Sequence, residues 1–248
     1  EKYSADAIRY WAANSRLGTD TFFSLDDLDI SMRFITKLWN AARFSISRLQ
    51  DFDPSEEPEL LPVDRWIRER CKQTMHEAGK LLDQYEVGLA RHVIDDFFWN
   101  DFCDDYIEIV KERLYQPDIH GHPERRSAQR ALYDSLFDIL KMYAIYVPHI
   151  TEYIYQVYFR QHEDEISLHL TRWEDAEEFD YDILEFGRQL KEAVSRARRI
   201  KSARSLSMKA EIEGLDIKTE EKYKEYFIRS IPDIRACCRA REVKLSIK

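Results

Sequence analysis

Glycine and proline are scarce, 6 and 7 among 248 residues, too few for the turns of a many-stranded sheet, and long stretches carry no helix breaker. Cysteine is rarer still. The four present, Cys71, Cys103, Cys237 and Cys238, form neither a CxxC pair nor a Cys/His metal spacing. That argues against a disulfide framework and a zinc site and leaves reduced thiols. No apolar run approaches the roughly 18–20 residues that span a bilayer, and the opening EKYSADAIRYWAA is too charged for a secretion signal. The expected compartment is therefore the cytosol, with no membrane partner. Motifs for phosphate cradles, nucleophile elbows and zincin sites (GxxxxGKS/T, GxGxxG, GxSxG, HExxH) are missing as well. What remains is helix, and 44% hydrophobic residues supply a substantial core for it. The expectation is a mainly α protein.

The prolines mark where helices start and stop. Ser4 is the expected N-cap of a first helix running to about residue 14 and ending in the Leu17-Gly18 turn. A longer helix is predicted over 27–49, followed by the acidic connection DFDPSEEPELLP, helices over 64–85 and 86–115, and the loop QPDIHGHP. Pro123 opens a helix over 124–146, and Pro148 breaks it before another that reaches Phe159. EISLHL alternates like a short strand and EDAEEFDYD reads as an acidic linker. Beyond it come a helix over 181–203, a strand-like MKAEIEG, a helix over 220–228 and a strand-like EVKLSI. The organisation read from this is a helical bundle over 1–178 and a small α/β subdomain over 179–248. The absence of a starting methionine points to a portion of a longer chain.

The second helix carries two stripes. At 100° per residue Ile30, Phe34, Leu38, Ala41, Ser45 and Leu49 gather on one face, which should pack inward. Arg33, Lys37, Asn40, Phe44 and Arg48 form a second stripe, a quarter-turn or more away. That stripe is either a solvated flank whose phenylalanine tucks into the bundle, or an RNA surface where cations meet phosphates and the aromatic stacks on an unpaired base. The net charge of −9 disfavours a nucleic-acid partner on average, but a docking surface responds to local charge. Between Arg188 and Lys209 eight bases, among them Arg196, Arg199, Lys201 and Arg204, face Glu192 alone. This is either a basic surface helix or a phosphate-contacting patch.

Asp101, Asp104 and Glu108 share a helical stripe near Asp95, Asp96 and Asp105, which raises a hydrolytic carboxylate pair or a cation site against a solvated acidic face. A helical di-metal site would need Glu-x-x-His pairs, and His92 lacks the glutamate. His120-Gly121-His122 is one residue short of an H-x-G-H nucleotide motif and follows no strand. Lys201-Ser202-Ala203-Arg204-Ser205 only echoes a KMSKS loop.

YSADAIRYWAANSRLGTD resembles the segment that follows the KMSKS loop in class Ia aminoacyl-tRNA synthetases. KLWNAARF (37–44) and FFWNDFCDDYIE (97–108) resemble the valyl members of that family. VPHITEYIYQVYF is similar to the family's hPFITEEIWQ helix, SLHLTRW to its S-I-H-x-x-x-W segment, and KSARSLSMKAEI to its KSEKGLS-type turn into a strand. The likeness covers nearly the whole chain. Asp105 departs from it where many relatives carry tryptophan, as do Tyr143, Ala144 and Ile145 where a leucine-histidine-proline run is usual.

The resemblance implies an anticodon-binding bundle with an appended α/β subdomain, whose partner is valine tRNA. It implies a parent enzyme that joins valine to tRNA with ATP and Mg2+ through catalytic and editing domains lying outside this chain. The chain itself is then expected to need no cofactor, to bind no metal and to hold no catalytic residue. On the KLWNAARF helix the resemblance points to Phe44 for stacking and to Lys37, Asn40 and Arg43 for RNA contact, with Arg33 and Arg48 on the same flank. Two rivals stand beside it: a protein-interaction module docking an acidic partner through residues 188–209, and a hydrolase built on Asp101, Asp104 and Glu108.

Overall fold

A computed structural model describes every residue except 1, 15–17, 19, 21, 174–175 and 248. Leu17 of the expected first turn and two residues of the acidic linker lie outside the described residues. The chain forms two compact units, one of residues 1–54, 71–99 and 132–178, the other of 55–70, 100–131 and 179–248.

In the first unit α1 (Ala5–Ala12) starts where Ser4 caps it, the hydroxyl accepting from the Ala7 amide at 3.2 Å. α2 (Leu25–Arg48) follows, then the second half of α3 (Pro62–Asp83), α4 (Val87–Asp96), the end of α7 (His122–Tyr143) and α8 (Pro148–Val157). Proline acts as expected at residue 148: α7 stops at Tyr143, and Pro148 takes the first position of α8, where its missing N–H costs nothing. Asp6 of α1 caps that helix from outside, accepting from the His149 and Ile150 amides at 3.2 and 2.8 Å.

Phe34 of α2 stacks on Tyr10 with centroids 4.1 Å apart and leans on Tyr143 at 4.8 Å. With Leu38, Ala41, Ser45 and Leu49 it forms the buried stripe, each large apolar side chain contributing roughly 1.5–3 kcal/mol. Ile30, expected in that stripe, is instead 53% exposed. It lies just over a turn before Phe34, where Ser31 and Leu28 point inward instead. Asp95 accepts from the hydroxyls of Tyr10 and Tyr143, both at 2.8 Å, with Arg91 3.4 Å away. Burial pushes its carboxyl above the usual range, against the pull of Arg91 and both tyrosines. The strand expected in EISLHL is a single 3-10 turn, Leu168–Leu170. Glu152 of α8 holds it by accepting from the Ser167 hydroxyl and the Leu168 amide, both at 3.0 Å.

The second unit contains the start of α3, α5 (Ile107–Tyr115), a short α6 (Pro117–His120) in place of the expected loop, the start of α7, α9 (Tyr181–Ala203) and α10 (Lys224–Cys238). β1 (Ile212–Thr219) and β2 (Ala240–Ile247) pair in parallel, Leu215 opposite Val243 and Ile217 opposite Leu245. α10 is the crossover helix that a parallel pair requires. The first strand therefore begins four residues later than MKAEIEG suggests, and the helix expected over 220–228 continues to Cys238 with Pro232 inside it.

At the centre of this unit Arg113 is enclosed. Its Nη1 and Nη2 reach Asp64 at 2.8 and 3.1 Å and its Nε reaches Asp233 at 2.9 Å. Asp64 also accepts from Tyr106 at 2.8 Å and from Ser127. Burial pushes the Asp233 carboxyl up to about 6, although Arg113 opposes the shift.

The stretch Phe97–Tyr106 is wound as a π-helix, which no α-helical periodicity foretells. It splits the expected acidic stripe: Asp101 and Asp105 are buried, while Asp104 and Glu108 are exposed.

Candidate nucleic-acid interface

α2 keeps its orientation because one face is apolar and buried, so the opposite arc must meet solvent. Arg33, Asn40 and Arg43 are exposed on that arc, and Lys37, Phe44 and Arg48 are half-buried along its edge. The Lys37 ammonium lies 5.2 Å from the centroid of the Trp99 ring, and the Arg48 Nε donates to Ser47 at 3.2 Å. Phe44 is thus neither sealed inside nor fully out. The arc offers guanidinium forks for phosphates, an amide for a base edge and a ring edge for stacking.

Trp39 belongs to the same arc, a residue that the two-stripe reading of the sequence passes over. It is 36% exposed, with its ring 5.9 Å from that of Tyr153 on α8, itself 55% exposed. Periodicity carries the signal: at 100° per residue Trp39 falls well off the buried stripe. A large aromatic left at the surface beside arginines is a stacking surface.

The basic run of α9 is different. Lys191 contacts Asp101 and lies 3.9 Å from Asp105, and Arg198 bonds Asp105 at 2.9 Å and the Asp104 carbonyl at 2.6 Å. Arg188 pairs with Glu185 at 2.7 Å, Arg199 pairs with Glu192, and Arg196 donates to the Asp216 carbonyl at 2.7 Å. Of the charge that stands out in the sequence, Lys191 and Arg198 are answered by carboxylates about 90 positions away in the chain, and Arg188 and Arg199 by glutamates close by. Lys201, expected among the phosphate contacts, is 3% exposed and donates to the Met208 carbonyl at 2.7 Å, closing the turn after α9. Arg204, the C-cap residue, is exposed.

Of the acidic stripe, Asp101 is held by Lys191 and accepts from Arg70 at 2.9 Å, while Glu108 pairs with Lys111 at 3.0 Å. Among the described residues no group of three or more His, Cys, Asp or Glu is arranged to hold a metal ion, and no helix is long and apolar enough to cross a membrane. Gly121, in the His120-Gly121-His122 turn, takes φ +104° to end α6 and start α7. That turn is helix punctuation.

A family model described as the anticodon-binding domain of tRNA ligase matches residues 64–219. The chain is 36% identical over 225 residues to a valine–tRNA ligase of Thermococcus kodakarensis, covering 90% of this chain and 25% of that protein. It is 34% identical over 254 residues to that of Methanopyrus kandleri, covering 100% and 27%. For Ehrlichia ruminantium the figures are 34% over 248 residues, 98% and 30%. The chain thus spans between a quarter and three-tenths of the length of these curated relatives. Among solved structures, a LeuRS–tRNA–LeuAMS ternary complex from Agrobacterium radiobacter K84 matches 99% of this chain and 29% of that one, with a TM-score of 0.50 at 10% identity. That likeness concerns the fold.

Proposed function

From the premise that the chain belongs to the anticodon-binding domain family of tRNA ligases, we propose that it is the part of a valine–tRNA ligase that holds the anticodon region of valine tRNA. The observation that carries the reading is the solvent-facing arc of α2, along which Arg33, Asn40 and Arg43 are exposed and Phe44 is half-buried. Phosphate contacts set the position of the RNA; stacking and hydrogen bonds to unpaired bases supply the discrimination.

In this reading the chain orients its RNA and activates nothing itself. ATP, Mg2+ and the joining of valine to tRNA belong to the catalytic and editing parts of a longer cytoplasmic enzyme, and no residue here is assigned to them. The RNA-reading arc of α2 belongs to the unit of residues 1–54, 71–99 and 132–178, whereas the α/β part over 179–248 shares its unit with residues 55–70 and 100–131.

Binding of the chain to a valine tRNA transcript, and to one with a changed anticodon, tests this at fixed salt. The valine transcript is expected to bind at least about tenfold more tightly, about 1.4 kcal/mol. Its affinity should fall as salt rises, because bound phosphates release counterions. Equal affinity for both transcripts at every salt concentration removes the specificity, and with it the reading.

A further inference from the structure

Wholly within the second unit, a groove of about 980 Å³ opens among α5, the end of α9, the end of α10 and the start of β2. Seven lysines and arginines line it against three glutamates, in a chain whose net charge is −9. Four of the cations are committed: Lys111 to Glu108 at 3.0 Å, Arg241 to Glu211 at 3.2 Å, Arg198 to Asp105 and Lys201 to the Met208 carbonyl. Lys209, Arg235 and Arg239 are exposed and make no ion pair with any described residue.

Arg239 is the telling one. It occupies the C-cap of α10 at φ +49°, ψ +45°, a left-handed conformation in which glycine is the usual occupant because a Cβ is strained there. The arginine there closes the helix and carries an exposed cation that lines the groove. Arg235 stands one helical turn earlier, on the same face of α10.

We propose that this groove is a second RNA-contacting surface, where Lys209, Arg235 and Arg239 neutralise backbone phosphates of the bound tRNA without reading its bases. The inference rests on the tRNA-binding reading above. Three uncommitted cations in a concave surface suit a polyanion. Two of the three are arginines, whose planar forks match phosphate oxygens.

The test compares the chain with Arg239→Gly alone and with a Lys209→Gln, Arg235→Gln, Arg239→Gly triple variant, using a valine tRNA transcript over a salt series. Arg239→Gly should leave thermal unfolding essentially unchanged, since glycine is at ease in that conformation, yet weaken RNA binding. The triple variant is expected to lose roughly tenfold or more in affinity near physiological salt. Its slope of log K against log salt should shallow by roughly 2 to 3, about 0.7–0.9 for each phosphate no longer neutralised. The preference for the valine anticodon should stay as it was. If the unaltered chain prefers the valine anticodon but the triple variant binds with the same affinity and slope, the groove is not an RNA surface, and an acidic protein segment becomes the better occupant. If the unaltered chain fails to bind tRNA at all, both readings fall together.

Discussion

Arg113→Met is expected to destabilise the protein by roughly 3–5 kcal/mol, the range for removing one partner from a buried ionic network. The side chain is 2% exposed and answers two carboxylates that are almost wholly buried, Asp64 and Asp233. It also donates to the Glu124 carbonyl at 2.7 Å. Methionine fills much of the volume but leaves two carboxylates facing each other in a low-dielectric interior, with Tyr106 and Ser127 as remaining donors to Asp64. Asp233, already pushed up to about 6 with the arginine present, would rise further and take a proton. A domain's whole stability is about 5–15 kcal/mol, so a large fraction of the reserve goes. Urea unfolding measures the loss, and a change below about 1 kcal/mol would mean the network is dispensable.

The second large effect is expected at Gly187. A Cβ at that position overlaps the indole of Trp66, which is 2% exposed and has no room to turn away. Gly187→Ala should therefore cost about 3 kcal/mol, the upper end for overpacking. The same substitution at Gly79 is the control. That glycine lies inside α3, and a methyl group there would meet Trp173 at 3.9 Å, an ordinary van der Waals approach. Gly79→Ala should stabilise by up to about 1 kcal/mol through helix propensity. Opposite signs from one chemical change separate close packing from propensity, and equal effects would show that α3 and α9 approach each other more loosely in the second unit than the Trp66–Gly187 overlap implies.

Much of the helical plan is legible in the sequence because its signals are local. Ser4, Pro123 and Pro148 sit at or within a residue of helix starts, and the predicted 181–203 helix is α9 to the residue. What is not legible depends on distant partners. EISLHL alternates like a strand, but with nothing to pair with it is held as a turn by Glu152. The π-winding of Phe97–Tyr106 rotates side chains away from where a 100° step puts them, so Asp101, Asp104 and Glu108 do not share a face. Arg113 bridges residues 49 and 120 positions away, and no window along the chain reveals that.

The candidate interface divides the same way. On α2 exposure follows from periodicity, so Arg33 and Asn40 fall on the outer arc by sequence alone, while Arg43, also exposed there, is singled out only by the family resemblance. On α9 charge density misleads, because Asp101, Asp105 and Glu185 claim Lys191, Arg198 and Arg188. The uncommitted cations of the groove in the second unit lie instead in a turn, a helix end and a cap, at Lys209, Arg235 and Arg239.

The central claim is that the outer arc of α2 grips an anticodon loop, with Phe44 stacking on one of its bases. A two-by-two binding comparison reaches it directly: the chain and Phe44→Ala, each titrated with valine tRNA and with the same tRNA whose anticodon loop is replaced by an unrelated tetraloop. The substitution is expected to weaken binding to intact tRNA by roughly 1–3 kcal/mol, the worth of one stacked base, and to leave binding to the loop-replaced tRNA unaltered. An equal loss on both RNAs, or no loss on either, would contradict the claim.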